Sequence, residues 1–228
     1  MTVDLAALAN ALPFLLKGLW FTLQITLVGV SGGIVFGSLL AIARLSQSRL
    51  LSTLATAYVN LMRSIPLILV IFWVFFLVPW AIGWMTASGR PVAVGASLTI
   101  FVTFVLFEAA YYAEIVRAGF RSISPGQYAA CDALGLSKFH AYTYILFPQA
   151  IRNVLPILLT QTIVLFQDTS LVYVISATDL LGAATKIAQR DGRLVEMYLT
   201  VGVIYFVFCF AASQFVKQLQ GRLAYGAR

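Results

Sequence analysis

Five stretches of this chain are apolar for long enough to cross a lipid bilayer, and that property limits what it can fold into. A helix needs about 20 mostly apolar residues to span the hydrocarbon core. Residues 19–43 form the first candidate, free of charge and closed by Arg44 and Arg49. Residues 66–82 form the second, preceded by Arg63, and residues 92–113 the third, with Glu108 inside it. Residues 154–176 form the fourth, with Asp168 inside it, and residues 197–215 the fifth, closed by Lys217. Inside lipid every backbone N–H and C=O must find a partner within the protein, so runs of this kind form helices. The expected fold is an all-α integral membrane protein of about five transmembrane helices, one membrane domain over residues 1–228. Only 10% of the residues are charged, against about 25% in a soluble domain, so the bilayer supplies much of the solvent.

The cations set the orientation. With the N-terminus outside, the inner segments hold Arg44, Arg49, Arg63, Arg117, Arg121, Lys138, Arg152, Lys217, Arg222 and Arg228. The outer ones hold Lys17, Arg90, Lys186, Arg190 and Arg193. Ten against five favours N-out and C-in. The net charge of +7 is scattered at the ends of apolar runs, with no basic stripe or recognition motif, so nucleic acid is not an expected partner. Cys131 and Cys209 lack any CxxC or Cys/His spacing, which leaves a disulfide framework and a zinc site without support. His140 reads as a residue on an exposed helix face. The first apolar run follows Lys17 and is too long for a cleavable signal, so it is expected to stay as an anchor.

Two connections raise alternatives. Gly29, Gly33 and Gly37 make a flat stripe along the first helix, suited either to a dimer seam or to packing within one subunit. Residues 177–196 are mixed in charge and read as a solvated loop or as a docking surface for an extracytoplasmic partner.

The segment "GQYAACDALGLSKFHAYTYILFPQA", residues 126–150, is polar and well punctuated. Ser124 suits an N-cap, Pro125 the first helical position and Gln127 the third, as in a capping box. A helix over 127–134 then stops at Gly135, which suits the left-handed position past a helix end. Ser137 caps a second helix over 138–147, which Pro148 is expected to end. The first helix is slim, with Ala129 and Ala133 on one face and Ala130 and Leu134 on the next. Such a helix fits a groove on another protein better than it fits a membrane surface, because it lacks large apolar residues and cations.

At these residues the chain resembles the permease subunits of bacterial ABC-type polar amino-acid importers. The signature EAA-x3-G-x9-I-x-L-P reads here as Ala129-Ala130-Cys131, then Gly135, then Ile145-x-Phe147-Pro148. Three positions depart from it, Ala129 for Glu, Cys131 for Ala and Phe147 for Leu, while the spacing is kept. "YVNLMRSIPLILV", "EIVRAGFRSISPGQ", "FPQAIRNVLP" and "QDTSLVYVIS" resemble further blocks of the same family. "LFEAAYYAEIVRAG", "LFQDTSLVYV" and "RDGRLVEMY" are most similar to the glutamate/aspartate permease subunits of Gram-negative bacteria.

The resemblance implies a multi-pass inner-membrane subunit with a cytoplasmic coupling segment over about residues 114–152. Its ATPase-coupling residues would be Tyr128, Ala129, Ala130, Cys131, Gly135, Leu136 and Pro148. It also implies an ABC ATPase dimer, a second permease subunit (the same or a related chain) and a periplasmic amino-acid-binding protein. The chain has no GxxxxGK[ST] phosphate loop, so ATP and its Mg²⁺ are expected on the ATPase, with no cofactor or metal here and no enzymatic activity.

An ionisable residue inside a span marks a functional site by default, because lipid burial costs about 2.5–3.5 kcal/mol. Glu108 lies beside Tyr111 and Tyr112; Asp168 lies beside Gln167, Thr169 and Ser170. These seven are the candidate pathway residues. Glu108 is expected about 12 Å nearer the cytoplasm than Asp168, so the two need not share a site, and Glu108 equally suits an interhelical hydrogen bond. An acidic substrate would meet a repelling Asp168 unless its ammonium paired there, and no Lys or Arg lies deep within the predicted spans. Import of glutamine, histidine or arginine is the alternative within the class. Outside it stand an uncoupled channel or scaffold, for which the capped helices have no use, and an intramembrane acid–base enzyme, which the depth difference disfavours.

Overall fold

The computed structural model describes residues 5–87 and 89–225; Arg228, counted above among the inner cations, lies outside them. The described residues form helices joined by short connections, in the order α1 (Leu5–Arg44), α2 (Arg49–Arg63), α3 (Leu67–Met85), α4 (Ala96–Arg121), α5 (Pro125–Ala133), α6 (Lys138–His140), α7 (Phe147–Asp168), α8 (Leu180–Asp191) and α9 (Leu194–Tyr225). A π-helical turn, Ala141–Leu146, joins α6 to α7, and a 3-10 helix, Thr169–Ile175, extends α7. Among the described residues five stretches are long and apolar enough to cross a membrane: Leu8–Arg44, Leu67–Met85, Ala96–Arg121, Lys138–Ile175 and Leu194–Arg222.

The fourth stretch begins at Lys138 because Pro148 does not end the helix that Ser137 starts. The N–H of Phe147 reaches back five residues, to the carbonyl of Tyr142, and this wider turn re-spaces the ladder. Pro148 then falls in the first turn of α7, where its missing N–H leaves no bond unmade.

α1 and α4 form the central pair. A Cβ at Gly32 would lie 2.6 Å from Val105, and one at Gly33 would lie 2.8 Å from the Tyr112 ring. One at Gly37 would lie 2.9 Å from both the Ala109 carbonyl and the Ala113 nitrogen. The glycine stripe is therefore occupied within the subunit. Ile25, Phe104, Leu165 and Ile71 close the core around this pair, bringing in α7 and α3.

Two helices, α2 and α8, belong neither to the five predicted spans nor to the segment 126–150. α2 is a short amphipathic helix whose Val59 packs on Ala110 and Ala113, while the Tyr58 hydroxyl donates to the Leu106 carbonyl at 2.8 Å. Residues 177–196, which read as a solvated loop or a docking surface, contain α8. Its apolar face, Leu180, Ala183, Ala184, Ile187 and Ala188, follows the helical period and is buried against α1 and α9. Asp179 caps α8, accepting from the N–H groups of Leu181 and Gly182 at 3.1 Å each, and burial pushes its carboxyl up to about 6 even so. Thr22 of α1 accepts from the Leu180 N–H at 3.1 Å, and Gly18 leaves room for α8 to approach.

Substituting Gly37→Ala forces backbone apart and is expected to destabilise the protein by about 1–3 kcal/mol. Gly202→Ala, where a Cβ meets nothing within 4 Å, is expected to be neutral or to stabilise α9 by up to about 1 kcal/mol. Thermal unfolding of the two variants in detergent separates these outcomes; equal effects would contradict the packing described.

Candidate functional site

At the end of the bundle where α1, α2 and α4 meet, three arginines converge on one carboxylate. Arg44 Nη1 donates to Glu114 Oε1 at 2.7 Å, and Arg117 donates to Oε2 from Nη2 at 2.6 Å and from Nε at 3.0 Å. Arg63 stands further off at 3.5 Å. Its side chain is 43% exposed, against 8% for Arg44, and its guanidinium lies 5.6 Å from the centre of the Tyr111 ring. Two close guanidiniums satisfy Glu114, so Arg63 is the loosely held third cation of a cluster with net charge of about +2. Its position escaped the sequence because α2 was not foreseen. The signal available was Arg63 itself, three residues before Pro66.

Tyr111 links this cluster to the intramembrane acids. It packs on Phe107 with ring centroids 5.2 Å apart, and it lies within electrostatic reach of Glu108, Arg63 and Asp168. Glu108 is fully buried and accepts from Gln161 Nε2 at 3.0 and 3.3 Å. Gln161 lies seven residues before Asp168 on α7, two turns or about 10 Å of rise. Asp168 is half-buried at the last residue of α7 and is also within electrostatic reach of Glu108. Tyr111 of α4 thus stands against Arg63 of α2, while Asp168 lies at the far end of α7, about two turns beyond the residue that holds Glu108.

The other four candidates turn elsewhere or take no part in these contacts. Tyr112 is fully buried over the glycine stripe, its hydroxyl 3.3 Å from that of Thr162. Thr169 is fully buried and donates to the Phe166 carbonyl at 2.7 Å. Gln167 points toward Cys209 on α9. Ser170, half-buried, follows in the 3-10 turn. Adjacent residues of a helix lie about 100° apart, so a run of four polar residues cannot all line one face. Among the described residues no three His, Cys, Asp or Glu side chains cluster as metal ligands, and Cys131 and Cys209 are free.

The α5 segment is shaped by its caps. Ser124 Oγ accepts from the Gly126 N–H at 3.3 Å. Gly135 adopts φ +65°, with its N–H bonded to the Asp132 carbonyl and that of Leu136 to the Cys131 carbonyl, a Schellman motif. Gln127 bonds to Gln149 at 3.1 Å instead of closing a capping box. Cys131 is buried, and the Tyr128 hydroxyl donates to the Phe120 carbonyl at 3.1 Å, so this face of α5 rests on its own subunit. Ala129, Ala130 and Gly135 are exposed on the other side, beside Leu134, while Leu136 is half-buried and Pro148 exposed. His140 is exposed, bonded to Ser137.

A helical membrane domain with a polar intramembrane face and an exposed, capped surface helix is the build of a transport subunit. A family model for the binding-protein-dependent transport system inner membrane component matches residues 33–225, and the chain belongs to that family. It is 45% identical over 221 residues to the glutamate/aspartate import permease protein GltK of Escherichia coli O6:H1, covering 97% of this chain and 98% of that one. The glutamine transport system permease protein GlnP of Escherichia coli K12 is 30% identical over 223 residues, covering 98% and 99%. The crystal structure of an amino acid ABC transporter with histidines superposes with a TM-score of 0.86 at 29% identity, over 97% of this chain and all of that one. The chain is an amino-acid ABC transporter permease of the inner membrane, a transport subunit and not an enzyme.

Glu114→Gln leaves three crowded guanidiniums without their carboxylate and is expected to destabilise the protein by about 1–3 kcal/mol. Arg63→Ala, removing the exposed and distant member, is expected to cost less than about 0.5 kcal/mol. Thermal unfolding of both variants checks the order; a larger loss for Arg63→Ala would contradict it.

Proposed function

We propose that this chain is a permease subunit of an ATP-driven importer of glutamate and aspartate. The observation that supports the reading is the cluster of three arginines on Glu114, with Arg63 over the ring of Tyr111. Every amino acid offers an α-carboxylate and an α-ammonium. In this reading Arg63 receives a carboxylate and the surplus positive charge of the cluster favours a second one, while Asp168, further along α7, meets the ammonium at a separate point on the path. The cluster supplies the countercharge that the spans themselves lack. The 45% identity to GltK supports the same substrates. Glu108, held by Gln161, then keeps α4 and α7 in register beside the path, and Tyr111 lines it. Tyr112, Thr169, Gln167 and Ser170 contribute through packing.

The N-terminus is outside in this reading and the C-terminus inside, as the ten-to-five split of cations favours. The segment over about residues 114–152 faces the cytoplasm, and the exposed Ala129–Ala130 side of α5 docks on an ABC ATPase dimer that binds ATP and Mg²⁺. A second permease subunit completes the path, and a periplasmic amino-acid-binding protein delivers substrate near the charged end of α8. ATP-driven closure of the ATPases moves α5 and rocks one permease against the other.

Cells lacking this gene are expected to lose glutamate and aspartate uptake and to regain it on complementation. Arg63→Gln is expected to raise KM for both about tenfold or more, the size of a charge-assisted hydrogen bond, with assembly unchanged. Arg63→Lys is expected to restore part of the loss. Loss of glutamine or arginine uptake instead would overturn the substrate; an unchanged KM in Arg63→Gln would remove Arg63 from the path.

A further inference from the structure

Where α1 and α4 end, they border an open cavity of about 910 Å³ against the chain that leads into and out of α5. Its lining includes Ile42 of α1, Leu45 just beyond it, Phe120 of α4 and Phe147 of α7, together with Arg117 and Arg121. Ile42 is 66% exposed and Leu45 67%. Arg121 is exposed and makes no ion pair among the described residues.

This combination is selective. An apolar wall of this size is unsuited to a free inorganic anion, which would meet the guanidiniums and leave the rest of the cavity to water. A neutral hydrocarbon would leave Arg121 unanswered. The cavity also opens where two apolar spans finish at cations, the depth at which headgroups replace acyl chains. A basic pocket between helix ends at this level has the character of a site for lipid headgroups.

We propose that the cavity binds one anionic phospholipid, its phosphate at Arg121 and Arg117 and its upper acyl chain along Ile42, Leu45, Phe120 and Phe147. The site does not depend on which amino acid is carried. Tyr128 of α5 also lines it, so a bound lipid braces the base of the surface helix from within the membrane. Lipid composition then adjusts how firmly α5 is held.

The test uses the purified transporter complex, stripped of lipid in detergent and titrated with phosphatidylglycerol or with phosphatidylcholine of the same acyl chains. Retained lipid is counted by native mass spectrometry. Phosphatidylglycerol is expected to bind more tightly than phosphatidylcholine. Arg121→Gln is expected to weaken it about fivefold, the factor carried by one basic residue at an anionic surface. Ile42→Trp fills the cavity without changing a charge and is expected to weaken both lipids. Equal retention of the two lipids by the wild type, or unchanged retention in both variants, would overturn the proposal. Displacement of phosphatidylglycerol by millimolar inorganic phosphate would reduce the site to one for free anions, and a partner chain seated in the cavity would give it another occupant; either result contradicts the lipid assignment.

Discussion

Gly32, Gly33 and Gly37 bring α1 so close to α4 that a single added carbon on any of them would overlap Val105, the Tyr112 ring or the α4 backbone. In lipid no hydrophobic force draws helices together, so close van der Waals packing and interhelical hydrogen bonds must do it. The other helices take their places from this pair. Leu165 of α7 rests against Gly29, Val59 of α2 against Ala110 and Ala113, and α8 against Gly18. Arg44 at the end of α1 reaches Glu114 on α4 because the two helices run together to that point.

The same pair arranges the polar groups. Glu108 is enclosed between α1 and α7 and held by Gln161, which makes it a fixed part of the interior. Tyr111, one residue before Tyr112, falls on a different face and meets Arg63. Polar side chains left exposed within a membrane domain are costly against lipid, so this face belongs against a partner or a water-filled path. The imbalance of three guanidiniums to one carboxylate makes this end of the bundle positive.

Much of this could be read from the sequence, and the reasons differ by element. The five spans were legible because bilayer length and lack of charge are one-dimensional properties. The caps at Ser124 and Gly135 were legible because each follows from a local hydrogen-bond need or a positive φ. α2 was not, since its leucines are interrupted by Arg49, Ser52, Thr53 and Asn60 and it is too short to span. α8 carried a clear helical period in Leu180, Ala183, Ala184, Ile187 and Ala188, but its charged residues drew the reading toward a loop. Pro148 misled because the π turn before it depends on how α6 and α7 join. The partnership of Arg63 with Tyr111 lies beyond sequence reading, since it follows from where α2 crosses α4.

Whether the Arg63–Tyr111 contact lines a path for substrate can be tested directly by thiol labelling. In a complex whose permease has Cys131→Ser and Cys209→Ser, a cysteine placed at Tyr111 can be probed with a water-soluble thiol reagent. A second cysteine at Val203, an apolar residue 60% exposed on α9, serves as the comparison. The prediction is rapid labelling at 111, slowed by glutamate during ATP-driven transport, with position 203 inert. A silent position 111, or labelling there that substrate does not alter, would contradict the account.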